Sequence, residues 1–171
     1  FVDEKGEPLR NPMSYLDGRA TEQIARYLYN GLIKIEGKWN ALITLQSLWI
    51  TGGLAATAKD PLWKYHWVKD HEPEVFRRAC KWLDVKDYLI HRCTGCFGMT
   101  QDSANITFIY DTRPGKLGWS KSLCSRFDVD MNHLAPVVDS RDVVGGLSGQ
   151  AAREVGLAEG IPAFGGGGGV P

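Results

Sequence analysis

The sequence predicts an α/β layered domain. Segments with helical spacing of apolar residues alternate with short β-branched or apolar runs down to the end of the chain, and Gly, Pro or Ser marks most of the boundaries. The 43% hydrophobic and 23% charged composition of the 171 residues is that of an ordinary globular chain able to bury one sizeable core.

Each element follows from local signals. Phe1-Val2 and Met13-Ser-Tyr-Leu16 flank the polar turn Asp3-Glu-Lys-Gly-Glu-Pro8, which predicts an opening hairpin. Ile24, Ala25 and Leu28, with Tyr27 and Tyr29, recur at helical spacing and predict a helix from Thr21 to Tyr29, with Thr21 as cap and Gly31 near the stop. A second helix is expected from Ala41 to Ile50, stopped by Gly52-Gly53. A third runs from Pro61 to about Lys69, because proline at a first turn loses no hydrogen bond. Pro73 to Cys80 predicts a short helix, Lys81 to Val85 a strand, and Lys86 to Arg92 a helix ended by Thr94-Gly95. Asn105 to Tyr110 fits either a helix end or a strand. After the Pro114-Gly115 turn, Ser120 caps a helix to Phe127, and Asp130 to Leu134 forms a short one. Val143-Val144 and Leu147 predict a strand, Gln150 to Val155 a helix stopped by Gly156, and Ile161 to Phe164 a last buried strand.

Composition also narrows function. Twenty Lys and Arg balance twenty Asp and Glu, so no general field draws nucleic acid or an anionic membrane to the chain. The longest apolar runs fall short of the roughly 20 residues a membrane span needs. Cys80, Cys93, Cys96 and Cys124 are too sparse for a disulfide scaffold. Cys93-Thr-Gly-Cys96 has the spacing of half a zinc or redox site but no second close pair completes it, so reduced thiols of a cytoplasmic protein and no metal are expected. His66, His71, His91 and His133 lack a ligand spacing, Asp102-Ser103 and Asp139-Ser-Arg-Asp142 read as turn chemistry, and the six Trp residues read mainly as core.

Two places offer a ligand something to hold. Tyr15-Leu-Asp-Gly-Arg19 puts an aromatic, a carboxylate and a guanidinium between a predicted strand and a helix. A polyol needs that combination, since its hydroxyls require partners and its C–H face packs on a ring. A bland alternative makes Asp17 a turn residue and Arg19 a surface charge. The second place is Gly165 to Gly169, five glycines directly after an apolar run, where bare backbone N–H groups can approach a phosphate. No Gly-x-x-x-x-Gly-Lys-Ser/Thr motif is present, and a flexible tail or linker is the competing reading of the same composition.

In order along the chain, these segments resemble the FGGY family of carbohydrate kinases, nearest its xylulokinase branch. Tyr15-Leu-Asp-Gly-Arg19 is similar to the family's Trp-x-Asp-x-Arg segment with Tyr for Trp. Pro61-Leu-Trp-Lys-Tyr-His-Trp-Val-Lys-Asp-His71 is similar to its first signature, from which Lys59 departs. His71 to Phe76, Val85 to Leu89, Thr94-Gly95, Asp102 to Ala104, Gly118 to Ser120, Gly145, Ala152 to Leu157 and Gly160 to Pro162 follow in the family's order. The order and spacing carry the resemblance.

What the resemblance implies is a ribonuclease-H-like domain of the actin and hexokinase ATPase type, incomplete here. The chain would be the central and C-terminal part of a kinase N-terminal domain, with a phosphate-binding hairpin before it and a second, ATP-binding domain after it. The activity implied is transfer of the γ-phosphoryl group of ATP, with Mg, to a hydroxyl of a xylulose-like ketopentose or related polyol. Asp17, Tyr15 and Arg19 would bind the sugar, and Gly165, Gly166, Gly167 and Gly168 would form the phosphate loop. No catalytic residue is retained, because Gly169 stands where the family's loop has its general base Asp, and glycine accepts no proton. This chain alone is then expected to be inactive. The implied partner is a small sugar, with no nucleic acid or membrane partner and a homodimer left open. The competing class is a non-catalytic sugar-binding or regulatory protein on the kinase scaffold.

Overall fold

The computed structural model describes residues 1–167. Its elements, in chain order, are α1 (Thr21–Leu28), β1 (Lys34–Ile35), β2 (Trp39–Asn40), α2 (Ala41–Thr51), α3 (Pro61–His71), α4 (Pro73–Arg78), α5 (Val85–Thr94), β3 (Met99–Thr100), α6 (Gln101–Asn105), β4 (Tyr110–Asp111), β5 (Gly118–Trp119), α7 (Lys121–Arg126), a 3-10 turn (Met131–His133), β6 (Val137–Val138), β7 (Val143–Gly146), α8 (Gly149–Val155) and β8 (Pro162–Phe164). The chain divides into two compact units. The first gathers Phe1–Arg10, Arg78–Ala104 and Asn132–Pro171, and the second Asn11–Arg77 and Asn105–Met131.

The second unit is built by helices around aromatic side chains. Trp63, Tyr65, His66, Leu62 and Val68 of α3 are buried together with Leu28 of α1, Leu123 of α7 and Phe127. Tyr27 stacks on Trp63 at 6.0 Å between ring centroids, and Phe127 meets Trp63 edge-on at 5.6 Å. The Trp63 indole donates to the Ala55 carbonyl at 3.0 Å, so its one polar atom is not stranded by burial. Pro61 occupies the first turn of α3, as expected. In α2 the Asn40 side chain accepts from Leu42 N and Ile43 N, and Gly52 closes the helix with a left-handed backbone at φ 72°.

The first unit is less helical and less aromatic. β3 and β6 run parallel, Met99 opposite Val137 and Thr100 opposite Val138, which is the pairing an α/β layer requires. β7 and β8 pair antiparallel with a bulge between Val143 and Gly145. Leu147, Ala151 and Ala152 form a small core against Cys93 of α5. Helix α5 is capped by Asp84 and ended by left-handed Gly95, and α8 is capped by Ser148 and ended by Gly156.

Several expectations are corrected. Residues 13–16 form no strand. Ser14 accepts from Leu16 N through its hydroxyl and from Asp17 N through its carbonyl, a local turn that outcompetes extension. What remains of the opening hairpin is one bridge between Val2 and Pro8, and Val2 also bridges Lys81. Lys81 to Val85 is no strand either, because Asp84 turns the chain to cap α5. Thr21 is the first helical residue rather than the cap: Ala20 holds that position without a side-chain bond, and α1 ends at Leu28 with Tyr29 as its C-terminal cap. β8 is partly exposed rather than buried, since among the described strands it has β7 alone as neighbour. Trp63 and Trp82 are core residues as expected, but Trp49, on the outer side of α2, is 72% exposed. Asn105 to Tyr110 is mostly turn: Asn105 closes α6, Tyr110 opens β4, and the residues between are neither helix nor strand.

Candidate functional site

The loop before α1 brings Tyr15, Asp17 and Arg19 together, as their proximity in sequence requires. Asp17 Oδ1 accepts from Arg19 N at 3.1 Å and Arg19 Nε at 2.9 Å, and a second guanidinium nitrogen reaches Asp17 Oδ2 at 2.8 Å. This two-pronged contact fixes the plane of the carboxylate. Arg19 is itself supported from below, its guanidinium lying 4.8 Å from the Trp67 ring centroid, and Trp67 stacks on His71. Lys64 Nζ donates to the Ser14 carbonyl at 2.8 Å and the Tyr15 carbonyl at 3.3 Å, pinning the loop to α3. The Arg19 side chain and backbone hydrogen bonds, with a smaller pull from Lys64, hold the Asp17 carboxyl below its ordinary value. The result is an oriented, ionised acceptor. Each carboxylate oxygen has two lone pairs, so the Arg19 contact leaves capacity for a ligand hydroxyl. Tyr15 is 78% exposed. The aromatic surface in contact with Arg19 is Trp67, which the sequence reading did not assign to the site.

The glycine run begins in the first unit. Gly165 is buried, and a Cβ there would fall 2.7 Å from Thr100 Cγ2 and 3.0 Å from the Asp139 carbonyl oxygen, so no other residue fits without movement. Gly165 N donates to the Asp142 carbonyl at 3.1 Å and Gly166 N to the Ser140 carbonyl at 2.9 Å. Gly166 has φ 68°, a conformation that favours glycine. The Asp139 to Asp142 turn that receives these bonds is held as turn chemistry predicts, Asp139 accepting from Arg141 N and Asp142 from Asp139 N. Gly166 and Gly167 are exposed. Gly168 and the base position Gly169 lie outside the described residues.

Beside Gly165 lies a polar cluster that sequence reasoning missed. Asp87 is fully buried, its Oδ1 accepting from Lys86 Nζ at 2.8 Å and Thr100 N at 3.3 Å, and its Oδ2 has no hydrogen bond of normal geometry. Lys86 Nζ also donates to Thr100 Oγ1 at 2.5 Å and to the Gly165 carbonyl at 3.2 Å, and Thr100 Oγ1 donates to Ser103 Oγ at 3.3 Å. Burial pushes the Asp87 carboxyl up, opposed by the Lys86 ammonium. Asp102, taken for turn chemistry, sits instead in the first turn of α6 with both carboxylate oxygens below the surface. The Lys86-Asp87 pair was visible only as a fragment of a family match, because its partners Thr100 and Gly165 are distant in sequence.

Among the described residues no group of three His, Cys, Asp or Glu converges to hold a metal ion. Nor is any helix of them long and apolar enough to cross a membrane.

Residues 1–170 match the model of the FGGY family of carbohydrate kinases, N-terminal domain. The chain is 29% identical over 168 residues to the xylulose kinase of Bacillus subtilis (strain 168), covering 98% of this chain and 30% of that protein. It is 30% identical over 168 residues to the L-xylulose/3-keto-L-gulonate kinase of Escherichia coli (strain K12), covering 97% and 31%. Among solved structures, the xylulose kinase from Rhodospirillum rubrum superposes with a TM-score of 0.79 at 23% identity, covering 97% of this chain and 32% of that one. Plasmodium falciparum glycerol kinase with ADP gives 0.76 at 19%, covering 95% and 30%. The chain thus spans about 30% of the length of the curated relatives it matches. The fold is the ribonuclease-H-like, actin/hexokinase-type ATPase fold of these kinases, and the chain belongs to the FGGY family of carbohydrate kinases.

Proposed function

We propose that this chain is the central and C-terminal part of the first domain of an ATP-dependent sugar kinase. The full-length protein transfers the γ-phosphoryl group to a hydroxyl of a xylulose-like ketopentose or related polyol. The observation that carries this reading is the family match across residues 1–170, joined by relatives named for xylulose and L-xylulose. In this reading Asp17 accepts a hydrogen bond from a sugar hydroxyl, Arg19 holds it in place, and exposed Tyr15 is available to pack on the sugar. Gly165 to Gly168 approach the transferred phosphate. ATP and magnesium supply the phosphoryl group and neutralise its charge. Segments beyond this chain, a phosphate hairpin before it and a second domain after it, bind them, so the chain alone turns over no substrate. The enzyme works in the cytoplasm on a small neutral sugar. The test is a coupled assay of the full-length protein with ATP and a panel of pentuloses, hexuloses and polyols. Phosphorylation of one of them is expected, and no turnover with any would sink the reading.

A second reading, a sugar-binding protein without catalysis, rests on the resemblance that sets Gly169 at the place of the carboxylate in the family's loop. Full-length protein that binds sugar by calorimetry yet stays inactive after Gly169→Asp would support it. Activity appearing with that substitution would return the protein to the kinase reading.

A further inference from the structure

We propose that Lys86 is a positioning residue for the glycine loop: its ammonium ties the Gly165 carbonyl to the buried Asp87 and Thr100, and so sets where the rest of the loop lies during phosphoryl transfer. The inference rests on the kinase reading above. An ammonium has three donors and no acceptor. Here all three are used, on Asp87 Oδ1, Thr100 Oγ1 and Gly165 O. A tripod of this kind fixes a point in space, whereas one or two bonds leave a long lysine side chain free to swing. The acceptors are rigid in turn. Asp87 is buried in the first turn of α5, and Thr100 pairs through β3 with β6.

Gly165 is gripped from its other side as well. Its N–H is taken by the Asp142 carbonyl, that of Gly166 by the Ser140 carbonyl, and the space a Cβ would need is filled by Thr100 and Asp139. The neighbouring Gly167 has nothing within 4 Å of such a Cβ. Among the described glycines the clamp therefore acts at Gly165 and Gly166, the first two residues of the run. Phosphoryl transfer depends on placement to within about an ångström, and misplacement by that much from outside the reacting centre costs on the order of 10²-fold in rate.

The test uses the full-length protein. Lys86→Met alone strands the Asp87 carboxylate, so the decisive variant is Lys86→Met/Asp87→Asn, which removes both charges at nearly constant volume. Hydrogen exchange of the segment 165–167, sugar KM, kcat and Tm are measured together. The expected result is exchange at 165–167 faster by about tenfold or more, kcat lower by about 10²-fold, sugar KM within about twofold of wild type, and α8 exchange unchanged. Unchanged loop exchange overturns the proposal. So does unchanged kcat in an active enzyme, or a kcat loss fully accounted for by a fall in Tm and folded fraction. If the wild type phosphorylates nothing, the kinase reading has failed instead, and loop exchange still decides whether Lys86 is the tether.

Discussion

The second unit packs aromatic rings at its core and pairs most of its charges near the surface, whereas the first buries a carboxylate completely beside a glycine loop, with a half-buried lysine as its counter-ion. In the second, Asp17 pairs with Arg19, Asp70 with Arg26, and Lys69 with Asp128, all partly open to water. Buried His66 on α3 is held neutral, its pKa lowered to about 4 chiefly by burial. In the first unit, Asp87 is buried with its counter-ion supplied by the next residue, Lys86. The difference teaches where each unit's stability and function reside. Rings and neutral imidazole make a core that tolerates changes at its surface. A buried ion pair adds little net stability but cannot lose one member, because the other is then desolvated without compensation.

The largest expected effect tests the aromatic half of this contrast. Trp63→Ala removes a buried indole, its hydrogen bond to Ala55 and its contacts with Tyr27 and Phe127, and should cost about 3–5 kcal/mol. Urea unfolding monitored by circular dichroism would show it as a lower midpoint. A loss below about 1 kcal/mol would mean that the rings do not carry the core.

Second in size is the pH dependence set by His66. Its folded pKa of about 4 lies below the ordinary 6.5, so the unfolded chain takes up the proton first. Stability from this residue is complete above pH 6.5 and is lost as pH falls from 6.5 to 4, by about 3 kcal/mol in total. His66→Phe should flatten that part of the curve. A slope that persists in the variant would assign the effect to other groups.

Gly165→Ala addresses the clamped loop with a smaller effect. The added methyl must displace Thr100 or the Asp139 carbonyl, costing about 1–3 kcal/mol, while Gly167→Ala meets open space and should leave Tm unchanged. Equal behaviour of the two variants would show that the loop is not gripped at its first residue.

Legibility in the sequence follows the same division. Pro61 opening α3, Gly52 closing α2, Ser120 capping α7 and Gly156 closing α8 were all readable, because caps and stops act between residues a few positions apart. The β3–β6 pair was not, since two-residue strands separated by more than thirty residues leave no periodicity to count. The opening strand failed at Ser14, whose turn bonds are as local as any cap but were masked by apolar neighbours. At the candidate site, Asp17 and Arg19 were legible because they are two residues apart. Trp67 beneath Arg19 and Gly165 beside Lys86 were not, because folding alone brings them there.

The smallest expected change in stability is at Asp17, and it is also where stability and function separate most sharply. Asp17→Asn keeps the shape of the side chain and removes the charge that pairs with Arg19. An exposed pair of this kind is screened by water and opposed by side-chain entropy, so the unfolding midpoint should stay within error of wild type. The same change turns one carboxylate oxygen into an amide nitrogen, which accepts nothing. If Asp17 receives a sugar hydroxyl, losing that charge-assisted bond should raise the sugar KM of the full-length enzyme about tenfold or more, with ATP KM unmoved. The pH profile sharpens the point. Because Arg19 holds the Asp17 carboxyl below its ordinary value, sugar affinity in the wild type should persist below the usual carboxylate range and fail only at lower pH. Arg19→Gln should shift that failure upward while leaving affinity at neutral pH largely intact. An unchanged sugar KM in Asp17→Asn would return the residue to a surface turn and leave the glycine loop as the part of this chain that touches the reaction.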